Sequence, residues 1–299
     1  MSGTVRKNKT RSSGTVRALS GAPTVAGDLS PASDGDLWYN SSSNTLRGYL
    51  PAAAWSAGGD MGTGREFTKG FGTSSSMGVA AGNYPPIGTT EEYNGSTWSA
   101  GGATGFDTSD HAGAGASVNA GIKSAGYVAG MIAGSEEYNG TSWSDITDYP
   151  LTLKTHAGFG TTTAFVCVGG NSSTGASNTL VTTHEWNGSS WTSGGDANTP
   201  VNNHACFGLL SAGVKVCGFN PGSPAVPIDD IEEYNGTGWT AATDYPTNLV
   251  YLTAGGIQTD GIVIAAMYTN SPSDTYTDDV YTYDGTNWSA STDYPFKLG

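Results

Sequence analysis

Apolar positions along the chain fall in short runs, not in stripes of helical spacing. Residues 164–168, Ala-Phe-Val-Cys-Val, are uninterrupted, and Gly169-Gly170 closes the run. Residues 155–160 form a shorter segment ahead of it. A polar Gly/Ser-rich stretch, 171–178, separates it from a third segment at 181–186 and a fourth starting at Trp191. Runs of this length, rich in β-branched and aromatic residues and bounded by Gly, Ser and Asn, predict strands. The plan repeats downstream with segments at 203–209, 214–219 and 231–234 and a strand starting at Trp239.

The third and fourth segments are joined by a near-constant hexapeptide. It reads Tyr93-Asn94-Gly95-Ser96-Thr97-Trp98 and returns with aromatic ends at Tyr138 and Trp143, Trp186 and Trp191, Tyr234 and Trp239, and Tyr283 and Trp288. Successive Trp residues are 45, 48, 48 and 49 positions apart. Asn-Gly predicts a tight hairpin in which both residues take positive φ. Its flanking aromatics then become cross-strand neighbours, worth roughly 0.5–1.5 kcal/mol beyond burial. Four strands in a period of this size describe a propeller blade. Trp55, Trp98, Trp143, Trp191, Trp239 and Trp288 are the expected repeat core. Asp148-Tyr149-Pro150, Asp244-Tyr245-Pro246 and Asp293-Tyr294-Pro295 follow three of these tryptophans, and their prolines are expected to end the outer strands.

The first 34 residues differ. They carry Arg6, Lys7, Lys9, Arg11 and Arg17, five of the chain's twelve basic residues, and no acid precedes Asp28. The chain beyond Arg17 holds seven basic against 26 acidic residues. Such asymmetry predicts a basic interaction arm on an acidic body. No apolar leader core and no run of 18 apolar residues is present, so neither a secretory signal nor a membrane span is expected. Residues 35–40, Gly-Asp-Leu-Trp-Tyr-Asn, and 45–49 read as a hairpin, and Trp55 precedes Trp98 by 43 positions, nearly in phase. The expectation is an all-β propeller spanning 35–299. In it the strands of 35–55 join a stub at 295–299 in a composite sixth blade, leaving no open edge. Five blades with a separate N-terminal hairpin is the alternative.

Composition narrows function by exclusion. A formal charge of −14 argues against nucleic-acid binding by the body. Cys167, Cys206 and Cys217 are odd in number and sit in apolar strand contexts, as small buried hydrophobes. His111, His156 and His204 each open the first segment of a unit; they would line the channel, where hydrogen bonding is the expected role. The pairs Glu91-Glu92, Glu136-Glu137 and Glu232-Glu233, with Glu185 in one such place, cannot form a carboxylate dyad on one face, because neighbours on a strand point oppositely. Asp229-Asp230 and Asp278-Asp279 are expected in loops without dedicated calcium spacing. The body has only Arg47 and Arg65, too few to clamp a carboxylate substrate as sialidases do. His, Tyr and Cys do not converge as a copper site needs. No enzyme activity and no cofactor are expected.

Gly169-Gly170 followed by Tyr or Trp and a later Trp resembles the kelch repeat, over about residues 56–299. The wording Glu-Glu-Tyr-Asn-Gly-x-x-Trp also resembles kelch-like arrays in virion proteins of marine bacteriophages. Residues 35–49 are similar to a short module of phage tail and fibre proteins. The resemblance implies a virion structural protein, either head decoration or a tail or fibre component, present in many copies. Its arm would dock other virion proteins, and it would be made in the host cytoplasm. The alternative is a host-attachment module binding surface polysaccharide through loops, with Tyr84, Tyr127, Tyr251 and Tyr268 as glycan contacts.

Overall fold

A computed structural model describes residues 24–25, 37–40, 42, 45–48, 55–172, 178–221, 226–264, 267–270 and 273–297. The basic residues Arg6, Lys7, Lys9, Arg11 and Arg17 lie outside them. The chain divides into two compact units, 1–54 and 55–299. In the first, Leu37–Asn40 pairs antiparallel with Thr45–Gly48, the hairpin expected there. Thr24–Val25 adds a parallel third strand.

The second unit is a β-propeller of five four-stranded sheets, each built in sequence order. Blade one comprises Lys69–Thr73, Ser76–Ala80, Thr90–Tyr93 and Trp98–Ala100. Blade two comprises Ala112–Ser117, Ala120–Tyr127, Met131–Tyr138 and Trp143–Ile146, and blade three Ala157–Thr161, Ala164–Val168, Thr183–Trp186 and Trp191–Ser193. Blade four comprises Ala205–Leu209, Ala212–Asn220, Val226–Tyr234 and Trp239–Ala241. Blade five comprises Thr253–Ile257, Asp260–Ile264, Val280–Tyr283 and Trp288–Ala290. A separate hairpin, Met267–Asn270 with Ser273–Tyr276, is inserted before its third strand.

Among the described residues no composite sixth blade is formed. Leu37–Asn40 and Thr45–Gly48 belong to their own three-stranded sheet, and Pro295, Phe296 and Lys297 enter no strand. Five blades, the alternative reading, is what the described residues show. The physical reason lies in what the end of blade five pairs with, which is a side chain. Trp55 donates its indole N–H to the Thr292 carbonyl at 2.8 Å and meets the Tyr294 ring edge-on at 5.1 Å.

Each hairpin places its aromatics opposite one another: Tyr93 with Trp98, Tyr138 with Trp143, Trp186 with Trp191, Tyr234 with Trp239 and Tyr283 with Trp288. The reversal is looser than Asn-Gly predicts. It spans four residues, and only the glycine takes positive φ, 88–94° across the five. The asparagine instead clamps the turn with its side chain.

The left-handed region is used more widely than the Gly169-Gly170 doublet indicated. At the end of the second strand, Ala81-Gly82, Ala125-Gly126, Gly169-Gly170 and Cys217-Gly218 all have positive φ at both positions. A non-glycine residue there costs about 1 kcal/mol or more. The repeat therefore conserves a shape that Ala and Cys adopt under constraint, which hides it from a search for Gly-Gly.

Candidate functional site

The ionisable residues were the candidate chemistry, and the structure commits most of them to joining blades. In each pair of glutamates the second reaches forward to the next blade. The Tyr138 hydroxyl donates to Glu92 Oε1 at 2.5 Å, the Trp186 indole to Glu137 Oε1 at 3.0 Å, the Tyr234 hydroxyl to Glu185 Oε1, and the Tyr283 hydroxyl to Glu233 Oε1 at 2.9 Å. Burial, and then the neighbouring carboxylate, pushes the Tyr138, Tyr234 and Tyr283 phenols above their ordinary pKa. A charge-assisted bond of this kind contributes about 1.5–3 kcal/mol. Glu185→Gln is therefore expected to lower stability by about that amount in urea unfolding, with Thr192→Ala on the same sheet as a near-neutral control.

The first glutamate points the other way, as strand alternation requires, and holds the crossover from the preceding blade. Glu91 accepts from the backbone N–H of Gly62 at 2.6 Å and Thr63 at 3.1 Å, and Glu232 from those of Asn198 at 2.7 Å and Thr199 at 3.1 Å. Glu136 accepts from Gly105 N–H at 2.5 Å. Each also meets a cation: Arg65 at 2.9 Å, Lys123 at 2.7 Å, and Lys215 beside Glu232. Burial lowers the Lys123 ammonium, and Glu136 opposes that. Asp229 and Asp230 stand in the strand Val226–Tyr234, not in a loop, because Lys215 draws the Asp230 carboxylate to 3.3 Å.

Two kinds of crossover alternate. Where Gly-Gly follows the tryptophan, at Gly101-Gly102 and Gly194-Gly195, the backbone presses on the next hairpin. A Cβ at Gly102 would lie 2.2 Å from the Thr141 carbonyl, and one at Gly195 2.4 Å from the Thr237 carbonyl. There the next tryptophan is buried and bonds a threonine hydroxyl: Trp143 to Thr90 and Trp239 to Thr183, both at 2.8 Å. Where Asp-Tyr-Pro follows, the tyrosine supplies the packing. Tyr149 meets Trp191 edge-on at 4.9 Å, and Tyr245 meets Trp288 at 4.8 Å, while each indole bonds the carbonyl of Thr147 or Thr243 at 3.0 Å. Trp55 on Thr292 and Tyr294 repeats that second arrangement. Gly58-Gly59 after Trp55 also presses on the next hairpin, a Cβ at Gly59 falling 2.5 Å from the Ser96 carbonyl, but there the next tryptophan, Trp98, is half-buried and bonds the Gly59 carbonyl at 2.9 Å.

One face carries Tyr84, Tyr127 and Tyr251. Phe67, Asp110, Thr155, Asn203 and Tyr251 occupy equivalent places just before each inner strand, all with φ of 51–59°. The amide of each of the last four donates to the carbonyl of the one before it, at 2.9–3.1 Å, a backbone chain crossing all five blades. Bridges from Ser109 to Tyr127, Lys154 to Asn171, Asn202 to Phe219 and Val250 to Met267 bring the chain following the inner part of each second strand, in blade five the inserted hairpin, to the same face. Tyr84 is 68% exposed there and stacks on Tyr127 with centroids 6.1 Å apart. The neighbouring Tyr84 hydroxyl raises the Tyr127 phenol. Lys154 Nζ lies 5.0 Å from the centre of the Tyr127 ring. An open cleft of about 470 Å³ beside them is lined by Arg65, Glu66, Asn83, Tyr84 and Pro85. Tyr251 is exposed on this face; of Tyr268 only its backbone place, in Met267–Asn270, is described.

Arg65 is not available to a ligand. Its guanidinium bonds the carbonyls of Ala81 and Thr89, the Thr89 hydroxyl and Glu91, at 2.8–3.0 Å. His111, His156 and His204 are buried, and desolvation holds each well below the usual imidazole range, His156 to about 3. Ser124 Oγ lies 3.5 Å from His156 Nε2. Cys167 and Cys217 are buried and Cys206 half-buried, and desolvation raises all three thiols. Among the described residues no group of three or more His, Cys, Asp or Glu is placed to hold a metal ion, and no helix is long and apolar enough to cross a membrane.

No protein-family model matches the chain, and no curated protein matches it.

Proposed function

We propose that the chain is a non-enzymatic display propeller of a bacteriophage particle, anchored by its basic N-terminal arm, whose Tyr84–Tyr127 face contacts carbohydrate on the host surface. The observation that carries the scaffold reading is the commitment of Glu91, Glu92, Glu136, Glu137, Glu185, Glu232 and Glu233 to crossovers and neighbouring blades. A site for general acid–base work needs carboxylates converging on open space, and these converge on backbone amides, indoles and phenols. The kelch-like resemblance is supported by the left-handed doublet recurring at the end of four second strands. Arg6, Lys7, Lys9, Arg11 and Arg17 would meet an acidic neighbour in the particle, in many symmetric copies.

The attachment half rests on a separate observation. An exposed tyrosine stacked on a second one offers a flat apolar surface with polar edges, which suits a sugar ring. Deleting residues 1–26 is expected to leave the propeller folded, by unchanged circular dichroism, and to abolish incorporation scored by immunogold labelling of particles. Normal incorporation removes the anchoring claim. Tyr84→Ala is expected to weaken binding to extracted host polysaccharide roughly tenfold, about 1.4 kcal/mol, with incorporation intact. Equal binding by Tyr84→Ala and the native chain removes the attachment claim alone.

A further inference from the structure

The five hairpin turns form an internal series with one chemical difference. Four carry asparagine before the glycine, at Asn94, Asn139, Asn187 and Asn235, and the fifth carries aspartate, Asp284. Their geometry is the same. In each, the side-chain Oδ1 accepts from the backbone N–H two and three residues on: Ser96 and Thr97 at 3.0 and 2.9 Å, Thr141 and Ser142 at 3.0 Å each, Ser189 and Ser190 at 3.0 Å each, and Thr237 and Gly238 at 2.9 and 3.0 Å. Asp284 accepts from Thr286 at 2.9 Å and Asn287 at 2.7 Å. All five residues also donate their own N–H across the turn at 3.2–3.3 Å. The two amides hold the Asp284 carboxyl below its usual range, so its charged form is the one the turn favours.

We propose that Asn94, Asn139, Asn187 and Asn235 are deamidation sites whose aspartate product this turn is built to accept. The chemistry needs only water. The glycine amide nitrogen attacks the asparagine Cγ, the Cγ–Nδ2 bond breaks, and ammonia leaves with the amide proton. Hydrolysis of the resulting cyclic imide at Cγ gives aspartate. Attack at the main-chain carbonyl gives isoaspartate, with an added backbone methylene. Three features at the four turns favour the reaction. They are exposed, the glycine offers an unhindered nitrogen, and two N–H donors draw electron density from Cγ. Aspartate retains both N–H contacts and strengthens them by its charge. At Asn94 and Asn187 the amide nitrogen donates to the hydroxyls of Thr97 and Ser190 at 3.2 Å, and those hydroxyls can turn to donate to a carboxylate. Isoaspartate would displace the glycine from its left-handed position and break the pairing of the flanking aromatics. Full conversion would carry the formal charge from −14 to about −18, with the added charge on the outer turns.

The test uses the full chain, aged in mildly alkaline buffer and followed by intact mass and peptide mapping. It is paired with the quadruple variant N94D/N139D/N187D/N235D. Conversion is expected at these four positions, with aspartate outnumbering isoaspartate in the folded fraction. The variant is expected to melt at or above the native temperature. Two results would overturn the proposal: amides surviving in the aged protein while the free hexapeptide Tyr-Asn-Gly-Ser-Thr-Trp converts, or a variant that melts lower by more than a few degrees.

Discussion

Lowering the pH from 7.5 to about 5 is expected to destabilise the protein by up to about 6 kcal/mol, most of a typical domain's margin. The effect comes from His111, His156 and His204, whose imidazoles are buried. Burial disfavours the charged ring first, and cations add to it: Lys69 acts on all three, Lys123 on His111 and Lys215 on His204. A folded-state pKa below the unfolded value of about 6.5 means that the unfolded chain takes up protons which the folded chain refuses. The stability tied to each histidine is therefore complete above about pH 6.5 and is lost as pH falls from there toward the folded value. The loss is about 1.4 kcal/mol per pH unit for each histidine. Asp110 works against it, since burial raises its carboxyl and acid favours the neutral form. Melting temperatures between pH 5 and 8 check this. A flat profile would mean imidazoles that reach water.

Trp239→Ala is expected to cost about 3–5 kcal/mol, the usual range for emptying an aromatic core site. The indole is 8% exposed, packs edge-on against Phe159 at 6.1 Å and lies 4.8 Å from Tyr234. Removing it also strands the Thr183 hydroxyl, a buried acceptor. Trp143→Ala belongs to the same class, since Trp143 is 9% exposed and bonds Thr90. The same change at Trp98, half-buried and bonded only to the Gly59 carbonyl, should cost less. Urea unfolding of the three variants ranks them, and equal costs would contradict the difference in burial and bonding between Trp98 and the other two.

The hairpins were legible because a local signal specifies them. Asn-Gly between aromatics fixes a reversal within six residues, and the cross-strand partners follow from counting. What was not legible depends on neighbouring blades. The roles of Glu92 and Glu185 gave no local sign, because their partners, Tyr138 and Tyr234, stand 46 and 49 positions away. A signal was there: in blades one to four an acid stands immediately before the hairpin aromatic, and the following unit supplies a Tyr or Trp at the matching place. The strained doublet was visible only where glycine filled both places, since Ala81, Ala125 and Cys217 adopt the same φ without advertising it. The blade count failed for a related reason. Trp55 keeps the period and the contact of a blade tryptophan, but of the strands before it Leu37–Asn40 pairs with Thr24–Val25 on one side and Thr45–Gly48 on the other. A phase read from one aromatic does not say which strands accompany it.

At the face carrying Tyr84 and Tyr127, the sequence named the tyrosines but could not pair them, because they come from different blades and meet only through the fold. The same holds for Lys154 above Tyr127. Lys123 and Lys215 lie opposite Glu136 and Glu232 across one ladder, so those ion pairs follow once the strands are aligned.

The most direct test is a side-chain-resolution density map of the full chain. It should show five four-stranded sheets in which Glu92, Glu137, Glu185 and Glu233 each reach the first hairpin aromatic of the following blade, with Trp55 seated on Thr292 and Tyr294. A map in which those carboxylates point to solvent, or in which the five hairpin tryptophans occupy unrelated surroundings, would contradict the account.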